Sequence, residues 1–267
     1  MRSLRVGAVN YLNTKPLVEG LEREPGVALA FDLPSRLAGG LATGRYDVAL
    51  IPSVEFFQDP GYRVVSNACI ACRGPVLSVK LFCRRPPAEI RTLALDEGSR
   101  TSAALTKILL AERYGLAPQL EPLPIGAALE DTSADAVLLI GDRAIHSPSG
   151  QFAEVWDLGD EWTRHTELPF VFAMWVARAG VDPEDVEAAL VAARDLGLAR
   201  LPAIAAREAP AQGLTVPQCL AYLRDNLHFF LGPVEVRGLS RFYQRARDLG
   251  LAPAGVDLEF DPCQLAR

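Results

Sequence analysis

The first half of the chain repeats one pattern, in which a short apolar run ends at a small polar residue beside Pro or Asn and a helix-forming run follows. The first apolar run begins at Val6 and ends in a polar cluster over residues 10–14. Two further runs end at Pro34-Ser35 and Pro52-Ser53. The second of these, residues 46–51, is nearly continuous in apolar side chains, as is typical of a strand covered on both faces. The repetition predicts an α/β fold with one polar rim.

A rim of this kind is where open α/β proteins bind their ligands, because loop side chains and backbone donors meet beyond the carboxyl ends of the strands. We therefore expect Tyr11, Asn13, Ser35 and Ser53 to face a binding site. Asn, Ser and Thr also turn the chain and cap helices. Both interpretations stay open at this point.

A second unit with the same pattern follows Arg84-Arg85-Pro86-Pro87-Ala88. Adjacent prolines deny a sheet its N–H donors, so this segment is predicted to be a boundary. A strand over residues 92–95 then leads through a loop into a helix that opens near Thr101. Helix N-termini present free N–H groups and partial positive charge. This end is therefore predicted to hold a carboxylate or phosphate, although a plain helix cap also fits; its residues are Ser99, Arg100, Thr101 and Ser102.

The next apolar run, residues 136–140, ends at Gly141 and Asp142, which form another polar tip. A long apolar segment over residues 168–176 is suited to crossing back to the first unit. The sequence thus predicts two lobes with a ligand cleft between them. The first lobe comprises residues 1–86 and 175–267, and the second comprises residues 87–174.

Length, charge and hydropathy narrow the class of protein. The 267 residues exceed the usual size of a single core, and 49% of them are hydrophobic. A net charge of −6, without any run of Lys and Arg, argues against a nucleic-acid surface and favours a small-molecule partner. No apolar run reaches the roughly 18 residues of a membrane span, and the first residues lack the apolar core of a signal peptide. We expect no membrane association and a cytoplasmic location.

The cysteines and histidines give no metal pattern. Five cysteines, an odd number, fit reduced thiols better than a disulfide framework. Cys69 and Cys72 have the spacing of half a zinc site, but no second pair follows. The three histidines stand apart at positions 146, 165 and 228. Because tetrahedral zinc needs two more ligands, we expect no metal.

Five motifs together resemble the chorismate dehydratase family of the futalosine route to menaquinone. They are GAVNYLNTKPL at 7–17, DVALIPS at 47–53, GPVLSV at 74–79, DEGSRTS at 96–102 and LPFVF at 168–172. The resemblance implies a fold like that of type II periplasmic binding proteins, which agrees with the two lobes. It further implies a carbon–oxygen lyase that removes water from chorismate to give 3-[(1-carboxyvinyl)oxy]benzoate, with neither metal nor organic cofactor.

The resemblance also implies roles for individual residues. Asn13 and Ser78 match the positions of a key Asn and Ser in the family, so catalysis is assigned to them. Asn cannot act as a base at neutral pH, and we hypothesise that the base is the substrate's own enolpyruvyl carboxylate, with Asp142 as the protein alternative. Substrate binding is assigned to Tyr11, Ser35, Ser53, Ser99, Arg100, Thr101, Ser102, Gly141 and Asp142.

Two other functions remain alternatives. A cytoplasmic protein that binds or senses a small carboxylate would have the same fold. The dihydroxynaphthoate synthase of the same pathway has a related one. The polar opening stretch, residues 10–16, favours the dehydratase over the synthase. The sequence indicates no oligomeric state.

Overall fold

The computed structural model describes residues 3–146, 150–182, 184–256 and 258, and within them the chain forms two sheets. In spatial order, the six strands of the first are His228–Phe230 (β11), Arg63–Cys72 (β4), Phe170–Ala177 (β10), Val48–Pro52 (β3), Leu4–Val9 (β1) and Val27–Asp32 (β2). Strand β1 pairs in parallel with β2 and β3, whereas β10 runs antiparallel to β3 and β4. Every residue of β3 and β10 is buried, which agrees with their continuous apolar sequences.

The second sheet has five strands. In spatial order they are Gln119–Leu123 (β7), Thr92–Asp96 (β6), Ala136–Ile140 (β8), Val79–Cys83 (β5) and Glu154–Asp157 (β9). Strand β6 is parallel to β7 and β8, and β5 is antiparallel to β8 and β9. We call the part of the molecule built on the six-stranded sheet the first lobe and the part built on the five-stranded sheet the second lobe.

Helices connect and cover the strands. The α-helices are Pro34–Ala42 (α1), Ser53–Phe56 (α2), Arg100–Tyr114 (α3), Asp142–Ile145 (α4), Leu158–Thr166 (α5), Glu184–Ala199 (α6), Leu201–Glu208 (α7), Val216–Ala221 (α8) and Pro233–Asp248 (α9). Leu12–Leu17 forms a 3₁₀ helix directly after β1, and Tyr222–Asn226 continues α8 as a π-helix. In the described part of the chain, no helix is long and apolar enough to span a bilayer.

Two contacts pack helices against the first sheet and against the turn that follows β1. Trp162 of α5, Phe170 of β10 and Phe242 of α9 form a cluster of edge-on aromatic rings with centroids 5.0 to 6.2 Å apart. Aromatic pairs in this arrangement add to the stabilisation from burial alone. Gly197 of α6 lies against Pro16, where a methyl group would overlap the Pro16 carbonyl. Only Gly allows α6 to approach the 12–17 turn so closely.

The predicted α/β class with two lobes is confirmed, but the two crossings lie earlier than the predicted boundaries. Strand β5 was expected in the first lobe and belongs to the second sheet, and the whole of β10 belongs to the first sheet. The first crossing therefore lies between β4 and β5, and the second lies between β9 and β10. Pro86 and Pro87, which predicted a boundary, instead stand at the start of a 3₁₀ turn that joins β5 to β6 within one sheet.

Candidate active site

A cavity of about 70 Å³ lies between the two lobes. Its apolar lining includes Leu50, Ile70 and Phe172 from the first sheet. Seven of the residues predicted to form the site line it: Tyr11, Asn13, Ser78, Ser99, Thr101, Ser102 and Gly141. Tertiary folding thus brings the ends of β1, β6 and β8 and the start of β5 to one place.

The other four predicted site residues are not part of the cavity lining. Ser35 lies in the first turn of α1, next to the lining residue Pro34. Ser53 is fully buried, and its Oγ donates to the Val171 carbonyl at 2.7 Å. Arg100 was expected to bind a carboxylate of the substrate, and it instead forms an ion pair with Glu55 at 2.8 Å.

Asp142, the fourth of these residues, supports the turn that carries Asn13. Its Oδ1 accepts a hydrogen bond from the Leu12 backbone N–H at 3.2 Å, across the two lobes. Burial raises the pKa of Asp142, and the bond from Leu12 opposes that rise. Asn13 itself accepts a 3.3 Å hydrogen bond from the Thr14 hydroxyl on its Oδ1. The N–H₂ of the Asn13 side chain is its donor end.

Ser78 follows a strained turn. Its backbone N–H donates to the Val76 carbonyl at 2.7 Å, and the intervening Leu77 has a φ of +61°. A left-handed φ is costly for a residue with a branched side chain, and such strain is concentrated at functional sites. The Ser78 carbonyl accepts from the Gly141 N–H at 2.8 Å, which ties this turn to the end of β8. Ser78 Oγ is buried and has no hydrogen-bond partner among the described residues.

Asp157 holds this turn in place and was missed by sequence reasoning. Its two carboxylate oxygens accept from the N–H groups of Val76 at 2.9 Å and Leu77 at 2.7 Å. The same side chain caps α5 by accepting from the N–H groups of Gly159 and Asp160. An Asp before a helix is a recognisable cap signal. Nothing in the local sequence indicates that the same carboxylate also reaches residues 76 and 77.

Tyr11 extends from the first lobe over the glycines of the second. Its ring lies 3.3 Å from the position of a methyl group at Gly141, whose φ is +68°. Its hydroxyl lies 3.6 Å from the corresponding position at Gly98. Burial and the nearby Asp96 raise the pKa of Tyr11 to about 12. Tyr11 therefore keeps its proton at neutral pH and can donate a hydrogen bond.

The N-terminus of α3 forms another wall. Ser99 caps the helix by accepting from the Ser102 N–H at 3.3 Å. Behind the cap, the buried Asp96 accepts from the Gly98 N–H at 2.9 Å and pairs with Arg143. Burial nevertheless raises the pKa of Asp96. This ion pair cancels its own charge, so the wall offers hydroxyl groups and helix N–H donors rather than a net positive charge.

The cavity lining is neutral. None of the described residues that line it carries a formal charge at neutral pH. Within the same described ranges, no three His, Cys, Asp or Glu side chains are grouped so that they could hold a metal ion. Cys69 and Cys72 are both buried in β4, and burial raises the pKa of Cys72 to about 12. The arrangement is suited to binding an anion through neutral donors and to stabilising charge by hydrogen bonds.

Fold and site together define a two-lobed protein that resembles periplasmic binding proteins, with a neutral polar cavity between its lobes. Two solved structures support this class. A structural-genomics protein from Archaeoglobus fulgidus has a TM-score of 0.72 at 16% identity and covers 93% of this chain and 98% of its own. The periplasmic aliphatic sulphonate binding protein of Escherichia coli has a TM-score of 0.64 at 17% identity. The match covers 100% of this chain and 94% of that protein. At these identities the likeness concerns the fold alone.

Sequence comparison is more specific. A family described as menaquinone biosynthesis matches residues 4–248. The chorismate dehydratase of Thermus thermophilus is 34% identical over 270 aligned residues, which cover 94% of this chain and 97% of the relative. The chain belongs to the menaquinone biosynthesis family, and the resemblance predicted from its five motifs is confirmed.

Proposed function

We propose that this protein is a chorismate dehydratase, a carbon–oxygen lyase that converts chorismate into 3-[(1-carboxyvinyl)oxy]benzoate and water. The observation that carries the proposal is the neutral cavity between the lobes, which both Asn13 and Ser78 line. The relative named chorismate dehydratase, which aligns over most of both chains, supports it. The substrate class is a small molecule with two carboxylates.

The walls of the cavity match a dianionic substrate whose charge has to be held without fixed cations. Ser99, Thr101 and Ser102 at the start of α3 present hydroxyl groups, and the helix end adds partial positive charge. Tyr11 adds a phenol that remains protonated at neutral pH. Neutral donors of this kind bind a carboxylate and also stabilise the extra negative charge that develops as the reaction proceeds.

The chemistry begins with loss of the hydrogen on the ring carbon that bears the ether. This carbon is vinylogous to the ring carboxylate, so the electrons of the broken C–H bond delocalise onto that carboxylate. The neighbouring hydroxyl then takes up the proton that the base removed and leaves as water, and the ring becomes aromatic. Asn13 and Ser78 would hold the reacting part of the substrate by hydrogen bonds, and they would donate hydrogen bonds to the departing hydroxyl.

We assign the base to the substrate's own enolpyruvyl carboxylate. Tyr11 is the one titratable side chain among the described lining residues, and its raised pKa keeps it protonated. Asp142, the protein alternative, lies outside the lining and accepts from the Leu12 N–H. Because this carboxylate supports the Asn13 turn, we do not assign it the removal of the substrate hydrogen.

The proposal is tested by incubating the purified protein with chorismate and following formation of the aromatic product by absorbance and mass spectrometry. We expect turnover without added metal or organic cofactor. Binding of chorismate without any product would instead favour a protein that binds or senses a small carboxylate. An analogue that lacks the enolpyruvyl carboxylate should not react; normal turnover of it would exclude the substrate-assisted step. The cytoplasmic location stays a prediction.

A further inference from the structure

The hydroxyl of Tyr222 is an unusual buried group. Tyr222 is 1% exposed, and its hydroxyl oxygen has no hydrogen-bond partner of normal geometry among the described residues. Most buried polar atoms in proteins are paired, because an unpaired one keeps the full cost of leaving water. An unpaired buried hydroxyl therefore calls for a reason, and its neighbours supply one.

Those neighbours are Asn13 and Ser78. Burial raises the pKa of Tyr222, and the side chains of Ser78 and Asn13 oppose that rise as hydrogen-bonding neighbours of its hydroxyl. The phenol thus keeps its proton and can both donate and accept one hydrogen bond. Ser78 Oγ, like the Tyr222 hydroxyl, is buried and has no partner of normal hydrogen-bond geometry in the described part of the chain. Tyr222 does not line the cavity, whereas Asn13 and Ser78 do, so it stands behind both of them.

The backbone around Tyr222 is also specialised. Tyr222 begins the π-helix Tyr222–Asn226, and π-helical turns are frequent at functional sites. At the end of this segment, the Asn226 side-chain N–H₂ donates to the Pro75 carbonyl at 2.9 Å. That bond fastens the segment to the connection between β4 and β5, which carries Ser78. The position of Tyr222 is therefore fixed relative to the Ser78 turn.

We infer that Tyr222 is a positioning residue, whose hydroxyl links Asn13 and Ser78 in the substrate complex and directs their hydrogens at the substrate. Asn13 donates to the Tyr222 oxygen, and the Tyr222 O–H donates to Ser78 Oγ. The Ser78 O–H is then left to point into the cavity, where it donates to the leaving hydroxyl. Hydrogen bonds in such a chain polarise one another and strengthen the last donor. Catalytic hydrogen bonds of this kind often tighten only in the substrate complex.

This inference rests on the proposed function, and its test begins with wild-type turnover of chorismate. Tyr222→Phe removes the hydroxyl and keeps the ring. We expect kcat to fall about tenfold, the scale of one hydrogen bond, with KM and the melting temperature unchanged. The matched control is Tyr46→Phe. The Tyr46 hydroxyl is also buried without a partner among the described residues, and its ring packs against Gly7 and Gly40, away from the cavity. This control should leave kcat unchanged.

A double-mutant cycle separates positioning from a general structural effect. If Tyr222 acts through Ser78, then Tyr222→Phe has no further effect on the rate in a Ser78→Ala background. Single-turnover measurements with enzyme in excess make the slow Ser78→Ala rate accessible. Equal losses in both backgrounds, or an unchanged kcat in Tyr222→Phe, would overturn the inference while leaving the dehydratase proposal intact. Absence of turnover in the wild type would overturn both.

Discussion

Ser78 depends on an aspartate far away in the chain. Asp157 accepts from the Leu77 N–H across 80 residues of sequence, and Leu77 is the residue with the left-handed φ. Backbone strain persists only where the surrounding structure overdetermines it. Four backbone donors converge on the Asp157 carboxylate, from residues 76, 77, 159 and 160. The strained turn and the start of α5 are therefore held by one side chain.

Replacing Asp157 by Asn puts an N–H₂ where one of these carboxylate oxygens was, so one backbone donor loses its acceptor. We expect kcat to fall about tenfold or more because Ser78 shifts, and the free energy of unfolding to fall by about 1.5 to 3 kcal/mol. Steady-state kinetics and thermal unfolding measure the two effects. Asp160→Asn is the matched control on the same helix, because the partly buried Asp160 side chain pairs with the exposed Arg164. A normal kcat in Asp157→Asn would show that Asp157 does not position Ser78 for catalysis.

At the scale of single elements, helix α3 combines a structural and a binding role at one end. Ser99 uses its side chain to cap the helix, which leaves the side chain of Ser102 to face the cavity. One turn further on, the Thr106 hydroxyl donates to the Ser102 carbonyl at 2.8 Å. The prediction that a carboxylate binds here thus concerns the hydroxyl of Ser102 more than that of its neighbour Ser99.

Ser102→Ala tests this end of the helix. Loss of a hydrogen bond to a charged carboxylate costs about 1.5 to 3 kcal/mol, so KM should rise roughly tenfold to a hundredfold. Because this hydrogen bond is made in the ground state as well as in the transition state, most of the loss should appear in KM and less of it in kcat. Thr106→Val, on the same helix and outside the cavity lining, should leave KM close to the wild-type value. An unchanged KM in Ser102→Ala would place the carboxylate elsewhere.

At the scale of the whole molecule, several contacts join the two lobes around the cavity. Thr101 Oγ1 accepts from the Val54 N–H at 3.2 Å, Asp142 accepts from the Leu12 N–H, and Arg100 pairs with Glu55. A two-lobed site has to exclude water during reaction, and closure of the lobes does this. We therefore expect Arg100 to act between the lobes rather than on the substrate.

The pair Arg100→Gln and Glu55→Gln distinguishes these two roles of Arg100. An exposed ion pair contributes about 0.2 to 1 kcal/mol, so each variant should raise KM by less than about sixfold. Both should do so equally, and the double variant should add nothing, because the same contact is lost. The effect should also shrink in high salt. A much larger KM in Arg100→Gln alone would show that Arg100 binds the substrate directly.

Local sequence was sufficient for much of the fold. The apolar runs that became β3 and β8, and the Ser99 cap of α3, follow from hydrophobic pattern and capping chemistry, which act over a few residues. The sheet to which β5 belongs was predicted wrongly. Pro86 and Pro87 indicate where a strand ends. No local pattern tells whether the next strand joins the same sheet or another one.

The sequence by itself determined the α/β class, the two lobes, the family and seven of the residues that line the cavity. These depend on side-chain types at fixed spacings, which the chain carries whatever its surroundings. Only the tertiary structure decided that Arg100 meets Glu55, that Asp157 supports the Ser78 turn, and that Tyr222 stands behind Asn13 and Ser78. Such contacts join residues distant along the chain, and the closure of the fold, rather than any local preference, selects their partners.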